Sequence, residues 1–134
     1  FPYTVKDAED FISAMLNADK DKTYSFAITV EEKVIGSIGV FRKDNIHART
    51  AELGYYVAEP YWGKGIGTSA ARQICEYVFK HSDIIRIFAE PLSNNIASCR
   101  VLEKAGFVFE GILQKNAVKN GQIVDMKMYA LVKE

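Results

Sequence analysis

Three glycines stand at alternate positions, Gly63, Gly65 and Gly67, between an apolar strand-like run (residues 53–58) and a helix-like run (residues 66–79). Residues without a Cβ allow the main chain to take unusual angles and to approach a ligand closely. The start of a helix also presents N–H groups without helical partners and the positive end of the helix dipole. Together these features predict a loop that binds a phosphate group through main-chain N–H groups.

The spacing of the glycines excludes two common phosphate-binding loops. A dinucleotide-binding fold needs Gly-x-Gly-x-x-Gly after its first strand, whereas here the pattern is Gly-x-Gly-x-Gly and three predicted strands precede it. A P-loop needs four residues between its first glycine and a Gly-Lys-Ser/Thr triplet, which this sequence lacks. A glycine-rich turn without a ligand is the alternative, although three glycines in five residues cost backbone entropy that an ordinary turn does not require.

The composition indicates one ordinary globular domain over residues 1–134. Hydrophobic residues make up 49% of the sequence and charged residues 25%, and the formal net charge is zero. No overall field therefore favours nucleic acid or an anionic membrane as a partner. No apolar run approaches the roughly 20 residues of a membrane-spanning helix, and no signal-peptide pattern opens the sequence.

The cysteines and histidines give no sign of a disulfide framework or a metal site. Cys75 and Cys99 fall in helix-like segments, and we expect both to be reduced and buried rather than paired. Reduced cysteines are typical of a cytoplasmic protein. His47 and His81 are far apart in the sequence, and because no Cys and His cluster has metal-ligand spacing, we expect no metal.

The apolar patterns and turn signals predict an alternation of helices and strands. A capping-box-like start at residues 4–7 predicts a first helix with an apolar stripe over residues 11–16. Strands are predicted at 24–30, 34–41, 51–58, 84–89, 107–113 and 123–132, with turns at 31–33 and 120–121. Helices are predicted at 66–79 and from a cap at Ser93 or Asn94 to Lys104, with Gly106 ending the second. A mixed sheet with helices on both faces follows, in which a helical crossover joins two parallel strands.

Residues 61–67 resemble the acetyl-CoA pyrophosphate loop of the GNAT N-acetyltransferase superfamily, and more closely that of its RimJ/RimL-type branch, which modifies protein N-termini. Residues 52–57, 95–98 with 101–107, and 110–111 resemble further motifs of that branch in the same order. The resemblance implies an α/β (α+β) fold with a mixed, mostly antiparallel central sheet and a splayed pair of parallel strands. It also implies that the family's first strand and helix are missing here.

The resemblance implies that acetyl-CoA is the cosubstrate. The strands ending near Ala58 and Ala89 would part to admit its pantetheine arm, and an N–H near Tyr56 or Val57 would polarise the thioester carbonyl. Asn95 would contact the arm and Ser98 would lie near the sulfur. The loop residues expected to bind the cosubstrate are Trp62, Gly63, Lys64, Gly65, Ile66, Gly67 and Thr68.

Direct attack of a primary amine on the thioester, in a ternary complex, is the implied reaction. Glu52 is the expected base, because a carboxylate in a low-dielectric cleft has a raised pKa that suits taking a proton from an ammonium. The alternatives are a structural ion pair at Glu52 and a base at Glu90. Ser98 is the expected group at the departing thiolate, since Leu102 stands where the superfamily often has a tyrosine, although polar residues there also serve as helix caps. Tyr129 is assigned to the acceptor pocket.

The identity of the acceptor stays open between a protein α-amine and a small amine. Zero net charge argues against polyamines and aminoglycosides as acceptors. Two other functions stay open: a non-catalytic acyl-CoA-binding module of the same fold, and a nucleotide-binding domain of another fold. The sequence also leaves a homodimer open.

Overall fold

The computed structural model describes residues 12–15 and 23–134. In these residues the chain forms seven strands and two helices. The strands are β1 (Ile12–Met15), β2 (Thr23–Val30), β3 (Lys33–Arg42), β4 (Thr50–Val57), β5 (Arg86–Ala89), β6 (Val108–Lys119) and β7 (Gln122–Val132). The helices are α1 (Ile66–His81) and α2 (Ile96–Lys104), and single 3-10 turns at Asn45–His47 and Glu59–Tyr61 flank β4.

The strands form one sheet in the order β1-β2-β3-β4-β5-β7-β6. Every neighbouring pair is antiparallel except β4 and β5, which run parallel because α1 crosses over between them. A parallel pair needs such a crossover, whereas antiparallel neighbours are joined by short turns. The predicted mixed, mostly antiparallel sheet with one parallel pair is confirmed.

Both helices of the described residues pack on one face of the sheet, so the helices predicted for both faces are not seen in this part of the chain. α1 buries the residues that repeat along one side of the helix, Ile66, Ala70, Ile74 and Val78, as its apolar periodicity predicts. Cys99 and Leu102 of α2 belong to the same buried cluster, and the Arg72 guanidinium of α1 donates to the Lys104 carbonyl of α2 at 2.5 Å. Both cysteines are buried and free, as expected.

The prediction of a first helix is wrong for the part of that segment that the structure describes. Residues Ile12–Met15 form an edge strand instead, with Ile12 opposite Ile28 and Met15 opposite Phe26. Main-chain pairing along the free edge of β2 outweighs an apolar repeat of helical spacing, because tertiary context overrides weak local propensity. The rest of that prediction, including the capping box at residues 4–7, lies outside the described residues.

Turn and cap chemistry accounts for the other element ends. Asn120 and Gly121 form the predicted two-residue turn, with Lys119 opposite Gln122. Gly106 has φ 98°, and Phe107 N–H donates to the Leu102 carbonyl at 3.0 Å, which is the hydrogen-bond pattern of a glycine-ended helix. The cap of α2 is Asn95, not Ser93 or Asn94 as predicted, because its side chain reaches the Ser98 N–H.

Candidate active site

Strands β4 and β5 part after a short parallel contact. Their pairing ends at Glu52 opposite Phe88, yet β4 continues to Val57. The chain after β5 follows β7 instead, because Lys127 N–H donates to the Pro91 carbonyl at 2.9 Å and Ser93 N–H to the Asp125 carbonyl at 3.0 Å. The predicted splayed pair is therefore confirmed, and a gap opens beside the second half of β4.

Main-chain groups of β4 point into this gap at every second residue. Lys43 N–H donates to the Thr50 carbonyl and Ala58 N–H to the Ile35 carbonyl, so even-numbered residues of β4 bond to β3. Hydrogen-bonded residues alternate in an antiparallel pair, which turns the N–H groups of Tyr55 and Val57 toward the gap. Tyr56 N–H points toward β3, so of the two residues expected to polarise a carbonyl only Val57 has suitable geometry.

The glycine loop connects the end of β4 to the start of α1. Gly63 and Gly65 have φ of 75° and 79°, the left-handed region that favours glycine. Gly65 is the N-terminal cap of α1 and makes no side-chain cap. Ser69 N–H donates to the Gly65 carbonyl at 3.1 Å, so the N–H groups of residues 66–68 point out of the helix start. This arrangement fits an anion.

The third glycine serves packing rather than an unusual backbone angle. A Cβ on Gly67 would lie 3.6 Å from the Tyr55 ring and from the Val101 side chain. The first turn of α1 therefore rests directly on β4 and α2. Lys64 lies exposed in the loop, and Trp62 is 62% exposed.

A cavity of about 260 Å³ occupies the gap and brings together residues from three elements. Its lining comes from β4, from the chain around the end of β5, and from α2. The lining residues are Glu52, Leu53, Gly54, Tyr55, Ala89, Glu90, Pro91, Ser98 and Leu102. Glu52, its competitor Glu90 and Ser98, the residue expected at the departing thiolate, thus border one cavity.

The hydroxyl groups of Tyr55 and Ser98 lie 3.0 Å apart in this cavity. Burial raises the pKa of Tyr55, an effect that the hydrogen bond with Ser98 partly offsets. Asn95 Oδ1 accepts the Ser98 N–H at 3.1 Å, so the Asn95 oxygen does act as a helix cap. Tyr55 is not among the residues that the sequence predicts for the site. It shares the odd-numbered face of β4 with the buried residues Leu53 and Val57. That alternation is the sequence signal that places Tyr55 on the side of the sheet that meets the helices.

Glu52 lies on the opposite face of the sheet from Tyr55 and Ser98. Its Oε1 is 3.3 Å from the Lys43 ammonium, and its side chain is 37% exposed. The Lys43 ammonium also lies 5.6 Å from the centre of the Phe88 ring. The carboxylate is therefore paired with a cation at the open edge of the cavity, not in the low-dielectric setting expected for it. Glu90 accepts a hydrogen bond from the Asn116 amide at 3.2 Å.

Tyr129 does not reach the cavity. It is 2% exposed within the core, and its hydroxyl donates to Glu103 at 2.7 Å. Burial and this contact raise the pKa of Tyr129. Its side chain is thus part of the core, and its assignment to the acceptor pocket stays a prediction.

The described residues hold no group of three or more His, Cys, Asp or Glu side chains placed to bind a metal ion. Among them, neither helix has the length and apolar character needed to cross a membrane.

Known proteins resemble this chain in sequence and in structure. The sequence model of the acetyltransferase (GNAT) domain matches residues 1–108. Probable N-acetyltransferase YjcK of Bacillus subtilis (strain 168) is 37% identical over 116 residues, which are 85% of this chain and 64% of the relative. The matched residues thus span less than two thirds of that relative's length.

Two solved structures share the fold at TM-scores of 0.77 and 0.76. Ribosomal-protein-S5-alanine acetyltransferase from Vibrio fischeri is 27% identical, with 84% of this chain and 62% of that chain covered. RimJ of Mycobacterium smegmatis, solved in complex with CoA-disulfide, is also 27% identical, with 83% of this chain and 53% of that chain covered.

Proposed function

Because the chain belongs to the GNAT acetyltransferase family, we propose that it transfers the acetyl group of acetyl-CoA to a primary amine by direct attack in a ternary complex. One observation carries the proposal: the gap beside β4 has the Glu52 carboxylate on one face of the sheet and the Tyr55–Ser98 hydroxyl pair on the other. A thioester held in the gap would meet the amine from one side and release its thiolate on the other.

Main-chain groups hold the cosubstrate in this proposal. The N–H groups of residues 66–68 and the open left-handed glycines of the loop bind the pyrophosphate, because both backbone dipoles and the helix dipole favour an anion there. The pantetheine arm runs along the free edge of β4 beside Tyr55 and Val57. The Val57 N–H then donates to the thioester carbonyl, where negative charge develops during attack.

The amine loses its proton on the Glu52 side of the gap. Its nitrogen attacks the carbonyl carbon, the new C–N bond forms, and the C–S bond breaks with its electron pair moving to sulfur. Glu52, or Glu90 across the cavity, accepts the amine proton directly or through water. Ser98 donates a hydrogen bond to the thiolate as it departs. No covalent enzyme intermediate is needed, and buried Cys99 has no part in the reaction.

The acceptor is a protein α-amine or a small amine. A cavity that opens at the exposed Glu52 edge can admit the end of an extended chain, which supports an α-amine. The zero formal charge of the sequence gives no overall field that would concentrate a polycation. A homodimer and a cytoplasmic setting are compatible with this function but are not needed for it.

The experiment is a transfer assay with acetyl-CoA and a panel of N-terminal peptides and small amines, followed by release of free thiol and by mass spectrometry of the acceptor. We expect an acetylated amine, with one free CoA thiol released for each acetyl group transferred. Gly65→Val, which puts a side chain into the space where we place the pyrophosphate, should abolish turnover at limiting acetyl-CoA. Tight CoA binding without any acetylated product would instead identify a non-catalytic acyl-CoA-binding module. Stabilisation by NAD or ATP but not by CoA would overturn the proposal.

A further inference from the structure

Tyr55 links three parts of the site through a single side chain. It leaves β4 at the edge of the gap, and its ring lies beside Gly67 in the first turn of α1, 3.6 Å from where a Cβ at Gly67 would stand. Its hydroxyl reaches Ser98 in the first turn of α2, 3.0 Å away. The side chain thus spans the place where the starts of both helices approach the strand.

The chemistry of the two hydroxyls decides which one donates. A phenol is a stronger acid than an alkyl hydroxyl, so it is the better donor and the serine oxygen the better acceptor. Burial raises the pKa of Tyr55, which keeps the phenol protonated at neutral pH. This difference favours Tyr55 as the donor and Ser98 as the acceptor, which leaves the Ser98 proton to point elsewhere. Since Ser98 lines the cavity, its proton can point into the gap.

We propose that Tyr55 is a positioning residue that acts through Ser98. By donating to the Ser98 oxygen, it directs the Ser98 O–H toward the sulfur of CoA in the gap. No proton leaves Tyr55: the sulfur takes the electron pair of the broken C–S bond and is stabilised by the Ser98 hydrogen bond. This inference rests on the proposed binding of acetyl-CoA in the gap.

The direct test is the acidity of bound CoA, which needs no acceptor amine. A thiolate is stabilised by a donor aimed at it, and its ultraviolet absorbance reports its fraction as the pH is raised. The acid dissociation constant of the bound thiol should be about tenfold smaller in Tyr55→Phe, because losing one hydrogen bond to a charged group has an effect of about that size. Ser98→Ala should show at least as large a change. Tyr77→Phe, about 15 Å along α1 from Gly67, is the matched control and should leave it unchanged.

A double variant separates action through Ser98 from an independent effect. If Tyr55 acts only by orienting Ser98, Tyr55→Phe adds nothing to Ser98→Ala in either thiol acidity or kcat. Tyr55→Phe keeps the ring against Gly67, so KM for acetyl-CoA should stay within about twofold while kcat falls about tenfold. Additive losses, or unchanged thiol acidity in Tyr55→Phe, would overturn the inference.

The same measurements distinguish failure of the inference from failure of the proposed function. Thiol acidity that responds to Tyr55→Phe in a protein that acetylates no amine would support the positioning role and reject the transfer activity. Rapid transfer that is unaffected by Tyr55→Phe would keep the activity and reject the role. A protein that does not bind CoA would reject both.

Discussion

The indole N–H of Trp62 donates a 2.6 Å hydrogen bond to the main-chain carbonyl of Val57, the last residue of β4. That carbonyl lies on the edge of β4 that faces the gap. The bond therefore ties the glycine loop to the strand end whose N–H we assign to the thioester.

Trp62→Phe removes this bond while keeping an aromatic ring. We expect CoA to bind about fivefold more weakly, because one neutral hydrogen bond that holds the loop against β4 is lost. Isothermal titration calorimetry measures the change. Trp62 is the single tryptophan of the sequence, so its fluorescence should respond to CoA in the parent protein. Equal affinity of the two proteins would show that the loop keeps its place without the indole.

Gly65→Val should lower both stability and CoA affinity. A side chain at φ 79° costs roughly 1–2 kcal/mol, and the valine side chain would also occupy the open space where we place the pyrophosphate. Gly121→Val is the matched control, because Gly121 has φ 76° at the tip of the β6–β7 hairpin. The control should lose similar stability in thermal melts and keep its CoA affinity. A normal CoA dissociation constant for Gly65→Val would mean that the loop does not bind the phosphates.

The turn between β2 and β3 offers a stabilising change. Glu31 and Glu32 both have positive φ, 50° and 67°, in a two-residue turn that places Val30 opposite Lys33. Asn-Gly suits such a turn far better than two glutamates. Replacing the pair by Asn-Gly should raise the free energy of unfolding by about 1 kcal/mol, measured in urea. An unchanged or lower midpoint would show that the two glutamates make compensating contacts.

Arg86 and Glu110 join β5 to β6 through two hydrogen bonds of 2.9 and 2.6 Å. The Arg86 guanidinium lowers the pKa of Glu110 from its ordinary value of 4.5. A carboxylate with a lowered pKa in the folded state stabilises the fold above its unfolded pKa, and that contribution is lost as the pH falls through the folded pKa. Glu110→Gln should therefore lower the Tm at pH 7. The loss in free energy of unfolding should be at most about 1 kcal/mol, because both side chains are partly exposed.

The pH series provides the control for this prediction. The difference in Tm between Glu110→Gln and the parent should shrink below pH 4.5 and vanish at strongly acidic pH, because the parent carboxyl is then protonated as well. A difference that is constant from neutral to acidic pH would show that shape, rather than charge, accounts for the effect.

Local signals were sufficient for much of the fold and for part of the site. Glycine spacing located the loop, and the Asn120-Gly121 pair located a hairpin, because both depend on backbone angles that few residues adopt. Ile12–Met15 was predicted wrongly, since edge pairing with β2 is not encoded locally. The role of Tyr55 depends on which face of β4 meets the helices and on the approach of α2, which only the assembled sheet determines. The Lys43–Glu52 pair likewise depends on the β3–β4 register.

Glu52→Gln tests which carboxylate takes the amine proton. If Glu52 is the base, its amide variant should lose about a hundredfold in transfer rate while CoA affinity stays the same, because the pyrophosphate contacts lie elsewhere. The 3.3 Å contact with Lys43 supports the competing view that Glu52 is structural, and in that case the rate persists. Glu90→Gln, at the far side of the same cavity, is the paired variant. A large loss in Glu90→Gln with an active Glu52→Gln would transfer the base role to Glu90, and full activity in both would assign the proton to solvent.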